Sequence, residues 1–481
     1  MREPAATSST APRRRKRPPP VRRHAGRSTP VTVRQRGVAL LMVLAAISLL
    51  YVLAEQSRDE VEVYTLSAFA GRDQLIAEYQ AKSAVNLARV VLHAEPTIRR
   101  TLTPILAPMM ALMGRGLTAP PQIPVWEQTD LIVGPFRGGD GGSALGELAN
   151  IDFANGKNLG GLTGLDSIRV VDEDSKININ TLVRSSVAAI FTGRQVIGLT
   201  TGTDMLPFFT GLDRDGQLTD QLTFVSSIVD YVDWDESQFD TSLLNPNAAQ
   251  QGGVGSEDPL FYSNLRPPYR RRNAPLDSVD ELRMIRGLGD DDLWARIVDP
   301  DPGNPTRRTM TVWGQGGLNV NTANAQTLLA LICAFAVQAP QCSDLSQASQ
   351  FITSITMVQA LTLSMGIPLF NSAQNFVATL QGRPPLGPML QQLGLQPFTI
   401  PDTGALERNI AVESKVFSVY AEATVGGAHT RLHAVIDMRP QPALPSTFLR
   451  ASSPSLSTLT TGAGTAIVNA AGGTIIYWRE D

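Results

Sequence analysis

Carboxylates are the side chains in this sequence whose crowding most directly implies chemistry. Asp230, Asp233 and Asp235 cluster with Glu236 and Asp240 around Asp-Tyr-Val-Asp-Trp-Asp-Glu, at the end of a helical stretch that starts near Leu222. Hard oxygen ligands at such density suit Ca²⁺. The loop that follows carries Gly252-Gly253 and Gly255, then Glu257-Asp258, which can return a carboxylate to the same place. The alternative is a solvated acidic loop, and both readings stand at this point. Asp213-Arg214-Asp215-Gly216 matches part of an EF-hand loop, but Gly211 and Leu222 occupy its first and last ligand positions, which excludes that motif. Two cysteines and four histidines cannot build a zinc centre by themselves. Cys333 and Cys342 pair as a disulfide if the body is exported and stay as buried thiols if it is cytosolic. No Ser-His-Asp or Cys-His arrangement stands out, so no catalytic residue is assigned and the chain is not read as an enzyme. His429 and His433 flank the turn and return strand of a hairpin and are expected as exposed strand-edge residues.

Two further patterns carry polar side chains at fixed spacing. Ile177-Asn178-Ile179-Asn180-Thr181 returns as Leu318-Asn319-Val320-Asn321-Thr322. Each reads as a brief strand feeding a helix N-terminus, with Asn180/Thr181 and Asn321/Thr322 supplying oxygens to the unpaired N–H groups of the first turn. The duplication predicts two similar small helical lobes. Asn273-Ala274-Pro275-Leu276-Asp277-Ser278-Val279-Asp280-Glu281-Leu282 leads into Gly287-Leu288-Gly289 and a second helix at Asp290–Val298, a helix-hairpin-helix pattern. Such turns bind nucleic-acid phosphates through glycine amides, but Asp290-Asp291-Asp292 stands where phosphate would lie and repels it.

The elements that position these residues follow from the hydrophobic pattern. Residues 1–36 hold the run Arg13-Arg14-Arg15-Lys16-Arg17, three prolines in succession and no apolar periodicity, and are expected to be disordered. Eleven of the basic residues lie before residue 38, so the body beyond it has thirty basic against forty-three acidic side chains, which argues against nucleic acid as its partner. At Arg34-Gln35-Arg36-Gly37 the charge stops, and sixteen almost wholly apolar residues follow, Val38 to Leu53. Three readings compete for this run: a secretory signal cut after Ala54, a permanent single span, and a pilin-type signal cut at Gly37. Beyond Glu55 there is no glycine until Gly71 and no proline until Pro96, and Val61, Leu66, Phe69, Leu75, Ile76, Tyr79, Ala84, Leu87, Val91 and Leu92 recur at roughly helical spacing. A helix of about fifty residues, lipid-soluble first and amphipathic after, is what the pilin-type reading predicts. Residues 96–165 read as Pro/Gly-rich loops, with no Gly-x-x-x-x-Gly-Lys-Ser/Thr in Gly138-Gly139 or Gly141-Gly142. Ser167–Val171 reads as a strand, Ser414–Val425 and Thr430–Met438 as a hairpin about Gly426-Gly427, residues 440–465 as a loop, and Thr474–Arg479 as a last strand.

Basic residues and Gly37, an apolar run and a long amphipathic helix together resemble the N-terminus of type IV pilins and pseudopilins. Most of those carry Glu as the fifth residue after the cut; here it is Met42. The lack of that Glu resembles the minor pseudopilin K family of type II secretion systems. The acidic cluster, the Asn-Ala-Pro-Leu-Asp-Ser-Val-Asp-Glu-Leu segment, the repeated Asn-x-Asn-Thr and the late hairpin follow that family's pattern in its order. The resemblance implies an α+β fold: a pilin-like long N-terminal helix packed on an antiparallel sheet, with a large inserted all-α domain containing helix-hairpin-helix-like lobes. Its expected parts are a basic leader 1–37 cleaved after Gly37, a transmembrane and amphipathic helix 38–95, pilin-like parts 96–171 and 401–481, and the inserted domain 172–400.

The resemblance further implies processing between Gly37 and Val38 by a prepilin peptidase, with methylation of Val38. It implies an inner-membrane protein of a single pass, N-terminus cytoplasmic and body periplasmic. The implied partners are the minor pseudopilins I and J, other pseudopilus subunits and inner-membrane secretion components, with no nucleic acid. The implied role is structural: a filament-tip subunit that initiates assembly and supports protein export. Calcium in the helical domain is the one cofactor it implies, with Asp233, Asp235 and Glu257 as the expected ligands. The alternative function is a helix-hairpin-helix nucleic-acid-binding protein of a DNA-uptake system. Two departures stand out: the 37-residue leader is long for the family, and so is the segment 440–465.

Overall fold

The computed structural model describes residues 33–112, 122–129, 133–134, 161–201, 205–210, 220–244, 260–364, 368–384, 386–439 and 473–481. The expectations for the leader up to residue 32, for Asp213–Gly216, for Glu257 and for residues 440–465 lie outside them. The described residues divide between Phe69 and Ala70 into two units.

Helix α1 spans Val33–Leu112, further than the periodicity predicted. It runs through Pro96, whose missing N–H and ring normally break an interior turn. Ion pairs of Arg99 with Glu95 and with Glu413 tie the turn across that proline to the body. In the second unit the buried stripe of α1 is made of small residues: Ala77, Ala81, Ala84 and Ala88, with Val85 and Leu92. Several of the larger side chains picked out by periodicity, such as Leu75 and Tyr79, are exposed. Alanines recurring at three- and four-residue steps let the helix axis approach a sheet closely at almost no side-chain entropy cost.

That sheet is antiparallel and four-stranded. Strand β1 (Leu165–Asp172) pairs with β6 (Val416–Val425), β6 with β7 (Ala428–Asp437), and β7 with β8 (Thr474–Glu480). The hairpin turn falls at Gly426, whose φ of +60° suits a residue without Cβ. Period-two alternation sends Phe417, Val419, Ala421, Leu432, Ala434 and Ile436 toward α1. Val416 and Val435, on the opposite face, join the core of the inserted region.

Between β1 and β6 lie two lobes. In the first, β2 (Ile177–Asn178) pairs in parallel with β3 (Met310–Thr311); in the second, β4 (Leu318–Asn319) pairs in parallel with β5 (Ile410–Ala411). The first lobe contains α2 (Ser186–Leu199), α3 (Gln221–Val232) and α4 (Asp291–Ile297). The second contains α5 (Ala325–Phe335), α6 (Leu345–Ser364), α7 (Ala373–Leu380) and α8 (Gly387–Gln392). Their cores are separate clusters. They meet where α2 crosses α5: a Cβ on Gly198 would lie 2.8 Å from the Ala330 Cα, and Phe191 stacks on Phe335 at 4.3 Å. The architecture is thus the α+β arrangement expected, a long helix on an antiparallel sheet with a helical insertion. The insertion extends past residue 400, since helix Thr403–Arg408 and β5 belong to the second lobe's core.

Candidate functional site: an exposed apolar helix, an acidic loop and a buried junction

Gly37 and Val38 sit on α1, both exposed, with nothing within 4 Å of a Cβ built on Gly37. From Val38 to Leu53 no residue is buried, and Met42 is 68% exposed. Burying a large aliphatic side chain is worth about 1.5–3 kcal/mol, so a run of this length held in water costs tens of kcal/mol. Hydrophobicity therefore demands a cover, either a bilayer or apolar partner helices. The helix is long and apolar enough to cross a membrane. Its charges resume at Glu55 and Arg58, which lie 3.9 Å apart.

The acidic loop follows α3. Asp220 caps that helix by accepting from the Thr223 N–H. Asp230 turns inward, accepting from the Ser226 hydroxyl and from the Phe239 N–H at 2.8 Å, so its carboxylate is spent on closing the loop. Asp233 is half-buried, and burial, then the charges of Asp235 and Asp230, push its carboxyl up to about 7. Its Oδ1 is buried without a hydrogen-bond partner. Asp235 is exposed and accepts from the Ser237 N–H. Asn273, at φ 44°, donates its backbone N–H to the Tyr231 carbonyl and its side chain to the Asp235 carbonyl and Glu236, leaving its own Oδ1 buried and unpartnered. Both stranded oxygens are hard donors of the kind Ca²⁺ takes. Among the described residues no three His, Cys, Asp or Glu side chains converge as a metal cluster.

Sequence reasoning assigned no role to one buried charged segment. Asp172-Glu173-Asp174-Ser175-Lys176, at the end of β1, is buried throughout. Glu173 pairs with Lys176 at 2.8 Å and accepts from Thr311 in β3 of the first lobe. Burial opposes its ionisation, but Lys176 and hydroxyls outweigh burial and hold its carboxyl below the usual range. Burial pulls the Lys176 ammonium down against the opposing pull of Glu173. Asp172 accepts from the hydroxyls of Ser414 and of Thr322 in the second lobe. Asp174 accepts from the backbone N–H groups of Gln315, Lys415 and Val416. Burial, then the neighbouring Asp174, pushes Asp172 up to about 7; burial pushes Asp174 up to about 6. One five-residue segment thus ties the sheet to both lobes. Its only signal in the sequence is charge ahead of an apolar strand; its partners lie far along the chain.

The Asn-x-Asn-Thr repeats do different work from that expected. Ser185 and Asn324 cap α2 and α5. Asn178 and Asn319 instead accept from the N–H two residues on, and Asn180 and Asn321 bridge distant loops. The helix-hairpin-helix forms, with Ser278 and Glu281 in a reciprocal capping box and Gly287 at φ +90°. Asp290 takes the N–H groups of Asp292 and Leu293 with its own carboxylate, so the amides that would meet a phosphate are filled by an anion of the chain. His429 is exposed as expected, but His433 lies on an inner strand. There it stacks on Tyr420 at 4.2 Å, and burial pushes its ring down to about 4. Cys333 and Cys342 are joined by a disulfide with Cα atoms 5.5 Å apart, pinning the end of α5.

No protein-family model and no curated protein sequence matches the chain. Among solved structures, the GspK-GspI-GspJ complex of the type 2 secretion system from enterotoxigenic Escherichia coli is similar over 56% of this chain and 73% of that one, at 17% identity and a TM-score of 0.36. A likeness so slight carries no function, which has to rest on this chain's own residues.

Proposed function

We propose that this chain is a membrane-anchored structural subunit, a minor pseudopilin of the K type at the tip of a type II secretion pseudopilus. The observation that carries the reading is one helix, α1. It is wholly exposed and apolar from Val38 to Leu53, preceded by Gly37 and a basic leader, and it continues without a break into an alanine stripe packed on the sheet. A secretory signal cut after Ala54 would discard that continuity; a cut after Gly37 keeps it. The excess of basic residues before Val38 holds that end in the cytoplasm and leaves the body in the periplasm. Met42 offers no carboxylate for a neighbour's amino terminus, which fits a subunit with none above it and a role in starting the filament. Minor pseudopilins of the I and J types are its partners in this reading, and it supports export without performing catalysis.

Mass spectrometry of membrane-extracted protein tests the anchor: a mature chain starting at N-methylated Val38 supports it, and a chain starting at Glu55 overturns it. Co-purification of the body with I- and J-type pseudopilins tests the tip assignment. Calcium belongs to the same proposal. Asp233 and Asn273 supply the stranded oxygens and Asp235 an exposed carboxylate, with Glu257, outside the described residues, as the further ligand of this reading. Bound Ca²⁺ would supply the charge that Asp233 lacks a partner for. Calorimetric titration with CaCl₂ should show binding that Asp233→Asn abolishes; heats identical in the two proteins dismiss the site.

A further inference from the structure

Strand β8 is the outer strand of the sheet, and no described residue pairs with its far edge. Arg431 and Asp481 exchange both backbone hydrogen bonds at 2.9 Å. Alternation along an antiparallel ladder then turns the N–H and C=O groups of Trp478 and Glu480 outward. An edge of this kind is a template for another strand. The opposite parity, Tyr477 and Arg479, lines a cavity of about 200 Å³ between the sheet and the first lobe.

The cavity has a floor of four rings. Tyr420 stacks on His433, Trp313 meets Tyr477 at 5.1 Å, and His433 lies 5.2 Å from Tyr477. Its rim consists of arginines already neutralised: Arg479 pairs with Asp280 at 2.8 Å and Arg431 with Glu422 at 3.2 Å. A balanced rim selects for no net charge. A dry cavity of about 150 Å³ holds one benzene, so this volume suits a single aromatic ring with its methylene. Guanidinium planes at the mouth stack on such a ring, and aromatic walls favour it over an aliphatic chain.

We propose that the β8 edge and this pocket together form a docking site for an extended segment of a partner polypeptide, which adds as a fifth strand and inserts one aromatic side chain. Main-chain bonds to Trp478 and Glu480 supply affinity, and the pocket supplies selectivity. The proposal is independent of the anchor reading, and its failure leaves the N-terminal processing result untouched.

The test uses the full chain in detergent and two terminally blocked pentapeptides, Thr-Val-Phe-Val-Thr and Thr-Val-Ala-Val-Thr. The phenylalanine peptide should bind at least tenfold more tightly and slow hydrogen exchange at the Trp478 and Glu480 amides. Trp478→Pro, which removes an outward N–H without touching the ladder to β7, should weaken both peptides. Glu422→Trp should fill the pocket and erase the preference for phenylalanine; Arg431→Trp, on the exposed rim, does the same where the first variant fails to fold. Equal affinity for the two peptides, no binding, or unchanged affinities in the variants overturns the proposal. So does protection of the Trp478 and Glu480 amides in the protein alone, which assigns the edge to this chain itself, or to a second copy if sedimentation shows a dimer.

Discussion

In the first lobe, Asn180 donates to the carbonyls of Leu276 and Val312 and accepts from the Leu276 N–H. In the second, Asn321 donates to the carbonyls of Phe370 and Val412 and accepts from the Phe370 N–H. The correspondence continues: Ser278 and Ser372 each start a helix two residues past the bridged position, and Gly287 and Gly382 each turn the chain at positive φ into the next helix. One side chain in each lobe thus replaces a stretch of sheet, staples a loop to a closing strand and satisfies three backbone groups that burial would otherwise strand. What surrounds the staple differs. The first lobe shares its core with Val416 and Val435 of the sheet and with the Glu173–Lys176 pair. The second lobe's core includes no residue of that sheet; it carries the disulfide and reaches the junction through Thr322 and Asn319, the latter bonded to Ser414. The same plug serves a lobe fastened to the sheet and a lobe fastened to its neighbour where α5 meets α2.

The largest way to break this contrast is to remove the shared anchor. Lys176→Met takes away the cation that is hydrogen-bonded to the buried Glu173 and leaves only the Arg308 charge acting on it, and breaking a buried pair in this way costs about 3–5 kcal/mol. The denaturation midpoint of the full chain should fall accordingly, with the first lobe and sheet exchanging fastest. Adding Glu173→Gln should recover much of the loss, because the burial penalty lies in the unpaired charge. A drop confined to the second lobe would contradict the assignment of this pair to the first.

Next come the staples. Asn180→Ala and Asn321→Ala each strand two carbonyls and one N–H, at a cost of about 2–4 kcal/mol. Equal chemistry should have unequal reach. Asn180→Ala should speed hydrogen exchange in β2, β3 and the β6 residues that share that core. Asn321→Ala should leave β6 protected and loosen only β4, β5 and α7. Identical exchange maps would mean that the lobes are one cooperative unit.

These residues also mark the limit of what the sequence discloses. The repeat was legible because Asn-x-Asn-Thr recurs before an apolar segment, and two lobes follow from it. The role of the second asparagine was not, because its partners, Leu276 and Val312 or Phe370 and Val412, lie dozens of positions away with nothing polar in their side chains to advertise them. The strands and hairpin were legible from alternation. The packed face of α1 was legible in part: Ala84, Val91 and Leu92 are buried as the periodicity has them, but it also weights the exposed Leu75 and Tyr79 above the other alanines that a close helix–sheet approach selects. His433 was misread: a hairpin position says nothing of a third strand, β8, that turns an edge into an interior. The acidic loop was found by composition alone, and composition does not separate Asp230, consumed by the fold, from Asp233, left with a bare oxygen.

The disulfide offers a smaller, local test. Closing so short a loop between Cys333 and Cys342 should be worth roughly 2–3 kcal/mol on the loop-entropy account. The double variant Cys333→Ser/Cys342→Ser should raise exchange in α5 and α6 while leaving β2 and β3 unchanged. Loss of protection in both lobes would erase the distinction between them.

The smallest effect concerns how the second lobe meets the sheet. Its Thr322 hydroxyl donates to Asp172, whereas Thr181 of the first lobe donates to the Asn178 carbonyl and meets only the neutral hydroxyl of Thr192. Asp172 and Asp174, held up to about 7 and about 6, share one buried space. The unfolded chain ionises both near 3.8, so between about pH 4 and pH 7 the folded state binds protons that the unfolded state does not. Their contribution to stability therefore grows as pH falls through that window and is lost as pH rises through 6 and 7. Asp172→Asn removes the charge while the Ser414 and Thr322 hydroxyls, free to rotate, can still bond its amide. The variant should be more stable than the parent above pH 7, with the advantage shrinking toward pH 4. Exchange at the Thr322 amide should lose its pH dependence beyond the intrinsic rate, and exchange at Thr181 should not change. An advantage that instead grows on acidification would mean that Asp172 is charged in the folded state throughout, and that Thr322 holds a carboxylate rather than a carboxylic acid.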